Sequence, residues 1–260
     1  MHERRPNIIF VLTDDQGAWA LGAAGNQEVI TPNLDRLARA GLYCPNFFCA
    51  SPVCSPARAS LLTGMAPSQH GIHDWIRAGN LPAAQCPKPF MDDNSAIEYL
   101  AGLPSYTQIL AENGYTCGLS GKWHLGDSMQ PQQGFHFWRV IPYGGSDYYG
   151  AAILRDGVMT VDDRYLTDVI TEGALEFLEQ HGQGDQPFYL SVHYTAPHSP
   201  WDRDQHPANW SISTPIVPLR PVPAMASTPG RSTRRRAALG RGATNCSAAT
   251  TPRSRRSTGG

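Results

Sequence analysis

No stretch of the 260 residues approaches the roughly 18 to 20 consecutive apolar residues that span a bilayer, so no membrane partner is expected. The apolar run Ile8 to Leu12 is too short for the core of a secretory signal, and Asp14-Asp15 follows at once. No export signal is visible, and the chain as given reads as cytoplasmic. The six cysteines, at positions 44, 49, 54, 86, 117 and 246, lack the paired spacing of a disulfide scaffold. A chain of this length can bury a large core without such staples, and free thiols are expected. Residues 211 to 260 contain nine arginines but no Asp, Glu, Lys, His or aromatic residue. The rest holds 12 Lys and Arg against 22 Asp and Glu, a balance of −10, which gives no electrostatic reason to expect nucleic acid as a partner.

In that final segment 41 of 50 residues are Arg, Ser, Thr, Ala, Pro or Gly, too little apolar surface to offset the entropy of ordering. The composition predicts a disordered, non-native ending over 211–260; a basic nucleic-acid-binding tail is the remote alternative. Before it, 41% hydrophobic content and six tryptophans over the whole chain read as globular, with one catalytic-size domain over residues 6–210.

Asn7 to Thr13 has the continuous apolar character of a buried parallel strand and ends at Asp14-Asp15. Thr31-Pro32 supplies a cap and a first-turn proline for a short helix with Leu34, Leu37 and Ala38 on one face, stopped by Gly41. Ser55-Pro56 repeats the device, with Gly64 closing, so that Cys54 immediately precedes a helix. Ser105, with Gln108 three residues on, opens a third helix. Tyr115 to Leu119 reads as a strand followed by the charged loop Gly121-Lys122-Trp123-His124. Asp156-Gly157 between apolar runs signals a hairpin over Ile153 to Val161. Asp162 to Gln180 has helical spacing, and Phe188 to Val192 is a further strand. Helices alternating with apolar strands predict an α/β fold with a mostly parallel central sheet and helices on both faces.

Singly, Asp14, Asp15, Arg58, Lys122, His124 and His198 would read as surface or satisfied polar residues. Jointly, each falls just after a predicted strand or at a helix start, on the edge where α/β sheets assemble their sites. Cys54-Ser55-Pro56-Ala57-Arg58 then matches the C-x-P-x-R motif of the sulfatase family. Gly114-Tyr115 through Gly121-Lys122-Trp123-His124-Leu125-Gly126 resembles its second motif. Pro6-Asn7-Ile8-Ile9 to Asp14-Asp15, Thr31-Pro32-Asn33-Leu34-Asp35 and Ala196-Pro197-His198-Ser199-Pro200 are similar to further family segments, in the expected order, over roughly residues 6 to 210.

The resemblance implies an alkaline-phosphatase-like fold, incomplete at the C-terminus, and hydrolysis of a sulfate monoester. It makes Cys54 the precursor of formylglycine, formed by a separate formylglycine-generating enzyme. It assigns Arg58 to stabilising that group, Lys122 and His198 to the sulfate, and His124 to orienting a nucleophile hydroxyl or taking its proton. Asp14, Asp15 and modified Cys54 match metal ligands, usually for calcium or another divalent ion. Family members add two ligands and a lysine downstream of the residue matching His198, whereas no Asp or Lys follows Asp204 here. The expected substrate is a small-molecule or carbohydrate sulfate ester. Three rivals remain: a phosphonate monoester or phosphodiester hydrolase with the same nucleophile, an inactive, truncated remnant, and the basic-tail nucleic-acid binder. His193 and His136, set in apolar segments, read as satisfied core histidines.

Overall fold

The computed structural model describes residues 5–85 and 95–208. The chain divides into the units Met1–Ile212 and Ser213–Gly260, and the second, with the tail expected over 211–260, lies outside the described residues. The first is built on six strands: β1 (Ile8–Leu12), β2 (Thr116–Lys122), β3 (Phe137–Ile141), β4 (Ala151–Arg155), β5 (Val158–Asp162) and β6 (Phe188–His193). They lie in the order β1-β6-β2-β3-β4-β5. The first four in that order run parallel, and the β4–β5 hairpin continues the sheet antiparallel to β3. The hairpin turns at Asp156-Gly157, both with positive φ (49° and 78°), as a two-residue primed turn requires.

Helices α1 (Pro32–Ala40), α2 (Cys54–Thr63), α3 (Pro67–His70), α4 (Tyr106–Glu112) and α5 (Leu166–His181) complete the unit. The sheet is covered on both faces because its central strands are apolar on both: every residue of β6 is buried. On one face α5 buries Leu166, Val169, Ile170, Ala174 and Phe177, the three-and-four spacing of a helical stripe, against Phe137, Ile141, Phe188, Leu190 and Val192. On the other, Ala59 and Leu62 of α2 share a core with Leu119, Trp123, Trp138, Val140 and Tyr189, flanked by Tyr106 and Leu110 of α4. Each such aliphatic or aromatic side chain withdrawn from water contributes about 1.5–3 kcal/mol.

Several local expectations are corrected. Strand β2 continues through Lys122, so Gly121 and Lys122 lie within the sheet rather than in a loop after it. Helix α2 starts at Cys54, with Val53 as N-cap; the Ser55 hydroxyl accepts instead from the Ile76 amide, 3.0 Å away. Thr31 does not cap α1 with its side chain but accepts from Gly22 N and donates to Asp35. Although α1 is amphipathic, none of its residues is buried, and Leu37 is 70% exposed. His136 precedes β3 and is exposed. Ser105 does accept from the Gln108 amide, at 3.2 Å, but the Gln108 side chain turns to Glu112 rather than back to the cap.

Candidate active site

The parallel strands share one C-terminal edge, and their register aligns the chemistry on it. His193, at the end of β6, pairs with Leu12 at the end of β1 and with Gly121 of β2. Lys122 and Asp14 follow within one and two residues, beside the edge where open α/β sheets bind ligands. Gly121 permits the closeness: its φ is 113°, and a Cβ there would overlap the His193 carbonyl oxygen. No residue but glycine meets both conditions.

Helix α2 delivers two groups to this edge. Cys54 occupies its first turn, half-buried, and Arg58 lies one turn on, 4% exposed. The Arg58 guanidinium reaches Asp14 Oδ2 (3.3 Å), the Lys122 carbonyl oxygen (2.8 Å) and His193 Nδ1 (3.2 Å). The Lys122 ammonium, fully buried, donates to the same Asp14 oxygen. Two buried cations therefore meet one buried carboxylate, an arrangement whose desolvation is tolerable only because the groups are paired. Burial pushes the Asp14 carboxyl upward, yet Arg58, Lys122 and His198 outweigh it and hold its pKa below the ordinary carboxylate value. Burial also pulls Lys122 and Arg58 downward, opposed for both by Asp14 and Cys54. Cys54 thus lies within electrostatic reach of both cations.

His124, with a φ of 57°, is 2% exposed. Its Nε2–H donates to the Ile76 carbonyl at 2.9 Å, which leaves Nδ1 as a bare acceptor without a hydrogen-bond partner. Burial, with Lys122 and Arg58 adding to it, pushes its pKa down to about 3. Gly144 packs directly on the ring, leaving no room for a Cβ. His198 is half-buried in the loop after β6; its Nδ1 lies 2.8 Å from the Ser199 carbonyl, and its own carbonyl accepts from the Tyr148 hydroxyl at 2.7 Å. Asp14, Arg58 and Lys122 therefore touch; Cys54, His124 and His198 surround them within electrostatic range.

Asp15, beside buried Asp14, has a φ of 61° and is exposed. Among the described residues no three His, Cys, Asp or Glu side chains converge as a metal-binding group. A hard divalent ion takes six to eight oxygen ligands, and the inner Asp14 oxygen is already engaged by Lys122 and Arg58. The described residues do not by themselves fit a calcium site. His193, read from the sequence as a core histidine, is buried and also lies at this edge beside Arg58. Its place at a strand's C-terminal end, like those of Asp14 and Lys122, was the available signal.

The sulfatase family model matches residues 6–226. The chain belongs to the sulfatase family. An N-acetylglucosamine-6-O-sulfatase of Bacteroides thetaiotaomicron is 31% identical over 200 residues, covering 76% of this chain and 32% of that protein. Human N-acetylgalactosamine-6-sulfatase is 33% identical over 221 residues, covering 75% and 40%. This sulfatase chain thus spans about a third to two fifths of the length of the curated relatives it matches. Among solved structures, BT4656 in complex with its substrate D-glucosamine-2-N,6-O-disulfate superimposes with a TM-score of 0.59 at 30% identity, covering 76% of this chain and 36% of that one. Ps i-CgsB in complex with k-i-k-neocarrahexaose gives 0.62 at 28% identity, covering 75% and 46%. The fold is the alkaline-phosphatase-like α/β architecture of these relatives, and no described helix is long and apolar enough to cross a membrane.

Proposed function

We propose that the chain carries the nucleophile half of a sulfuric ester hydrolase whose substrate is a carbohydrate sulfate. The observation behind this reading is the convergence of Arg58 and Lys122 on Asp14 beside Cys54. Sulfuryl transfer spreads negative charge over equatorial oxygens, and what a protein contributes is fixed positive charge and positioning. Arg58, Lys122 and His198 are cationic or imidazole groups suited to that work, and the first amides of α2 add their dipoles toward an anion at Cys54. The relatives named for 6-sulfated hexosamines, and the bound disulfated glucosamine of one neighbour, point to a sugar ring bearing the ester.

Cys54 sits half-exposed in the first turn of α2, open to a formylglycine-generating enzyme. Formylglycine, as its hydrate, supplies one hydroxyl that attacks sulfur and a second that releases sulfate by restoring the aldehyde. Around it, Arg58 orients and stabilises the nucleophile, Lys122 and His198 bind the ester oxygens, and the bare Nδ1 of neutral His124 is suited to accepting a hydrogen bond that orients a nucleophile hydroxyl. Family membership also implies a divalent ion, calcium in the usual case, at Asp14 and Asp15. Two adjacent carboxylates, one turned outward, are a weak site by themselves, and no step here is routed through the ion.

A second reading, a catalytically silent chain, rests on the engagement of the inner Asp14 oxygen by Lys122 and Arg58. The test is kcat/KM after co-expression with a formylglycine-generating enzyme, on N-acetylglucosamine 6-sulfate, an aryl sulfate, an aryl phosphonate monoester and an aryl phosphodiester. Higher kcat/KM on the sulfate esters supports the proposal. Higher values on the phosphorus esters overturn the substrate class, and no turnover with Cys54 fully converted establishes the silent chain.

A further inference from the structure

Tyr148 belongs to the segment between β3 and β4, residues 142–150, which also sets Gly144 against the His124 ring. The residue is fully buried, and its hydroxyl donates to the His198 carbonyl at 2.7 Å. A carbonyl can only accept, so the direction of this bond is fixed. Burial, with Tyr165 and Asp14 adding to it, pushes the Tyr148 pKa up to about 12, so the hydroxyl keeps its proton. Tyr148 is itself pinned. Its amide donates to Gln205 Oε1 at 2.8 Å, and its carbonyl accepts from the amide of Leu166, the first residue of α5, at 2.7 Å. Its ring stacks on Tyr165, centroids 5.5 Å apart at 23°, and packs on His206 at 4.9 Å.

The loop that carries His198 follows β6 and is held carbonyl by carbonyl. Thr195 accepts from the His198 amide (2.9 Å), Ala196 from the Asp14 amide (3.2 Å), Pro197 from the Trp201 indole (2.8 Å) and His198 from Tyr148. Trp201 is 70% exposed whereas Tyr148 is enclosed, and a hydrogen bond shielded from water is electrostatically the stronger. On the His198 ring, Nδ1 faces the Ser199 carbonyl at 2.8 Å and the Ser199 hydroxyl at 3.3 Å, both able to accept. Nδ1 therefore carries a proton, and Nε2 is the ring atom left for a ligand. His198 and Asp14 lie within electrostatic reach of each other, which puts this ring at the same edge as Arg58 and Lys122.

We propose that Tyr148 is a positioning residue for the reaction: its hydroxyl clamps the His198 carbonyl and thereby holds the imidazole where an ester oxygen can meet Nε2. The clamp ties the loop after β6 to a residue anchored on the first turn of α5, so the His198 backbone cannot shift without breaking a buried bond. A group that contacts a reacting ester loses its effect when its support is loosened, because the supporting residues hold the productive geometry. One segment thus serves two histidines, His124 through Gly144 and His198 through Tyr148. The inference rests on the reading of His198 as an ester contact.

The test compares Tyr148→Phe, which keeps the ring and removes only the donor, with His198→Gln and the double variant, all converted at Cys54. Tyr148→Phe is expected to raise KM for N-acetylglucosamine 6-sulfate about tenfold with kcat less affected, as loss of a binding contact does; mere loss of folded enzyme lowers kcat at unchanged KM. In the His198→Gln background the same change is expected to add less than about twofold, because Tyr148 acts through His198. With ¹³C-labelled histidine, Tyr148→Phe is expected to broaden or shift the His198 ring signal, identified by its absence from His198→Gln, and to leave those of His124 and His193 in place. An unchanged KM, the same KM effect without His198, or an unmoved His198 signal in folded Tyr148→Phe overturns the proposal, and so does an equal shift of all three signals. If Tyr148→Phe does not fold, the wild-type Tyr148 hydroxyl proton decides: slow exchange with water supports the clamp, and rapid exchange overturns it. If converted wild type turns over no sulfate ester, the reading of His198 as an ester contact fails, while the ring signals separately decide whether Tyr148 holds it.

Discussion

Lowering the pH from 7 to 5 loads protons onto the unfolded chain that the folded chain refuses. His124 and His193 are buried beside cations, and their pKa values fall from an ordinary 6.5 to about 3. The sign follows: a histidine depressed in the fold binds its proton in the unfolded state first, so stability is whole above pH 6.5 and drains as pH falls toward 3. Each group contributes a slope of about 1.4 kcal/mol per pH unit well inside that window, and the pair about 2.7. Between pH 7 and 5 the two together remove about 4 kcal/mol, a large share of the roughly 5–15 kcal/mol that holds a domain together. His70, also pushed down by burial, acts in the same direction. Urea unfolding followed by tryptophan fluorescence at half-unit pH steps measures this slope, and His193→Asn is expected to reduce it by about the contribution of one histidine. A midpoint that does not move between pH 7 and 5 would refute the assignment of buried, neutral imidazoles.

Replacing Asp14 by Asn leaves Lys122 and Arg58 facing each other without their shared carboxylate; unfolding free energy should fall by about 3–5 kcal/mol, read from urea titrations at pH 7.5. Gly121→Ala forces a Cβ into the His193 carbonyl at a φ of 113°, and should cost about 3 kcal/mol or more, seen as a lowered Tm and reduced soluble yield. Gly144→Ala displaces the His124 ring while leaving both cores intact. It should lower kcat on the order of 10²-fold in converted enzyme, with far less effect on the urea midpoint than Gly121→Ala.

The parts of this architecture that local chemistry dictates were readable from residues alone. Asp156-Gly157 needs positive φ at both positions and forms the hairpin; Gly41 and Gly64 stop their helices; Asp14 and Lys122 sit where apolar strands end. What failed depends on partners far along the chain. Ser55 looked like a helix cap, but its hydroxyl is claimed by the amide of Ile76, 21 positions on. Leu34 and Leu37 have the spacing of a buried stripe, yet burial needs a surface to pack against, and among the described residues α1 meets none that covers them. His193 is core, as its apolar strand implies, but its closeness to Arg58 follows only from the pairing of β6 between β1 and β2. In the motif Cys54 to Arg58, by contrast, both functional groups lie on one helix, and their spacing alone carries them to the same edge.

The account turns on the fate of one thiol. Peptide mass spectrometry of the chain co-expressed with a formylglycine-generating enzyme should find the Cys54 peptide lighter by the exchange of sulfur and two hydrogens for one oxygen, and reactive toward an aldehyde-directed hydrazide. A Cys54 that remains an alkylatable thiol, under conditions where a known substrate of the same enzyme is fully converted, would contradict it.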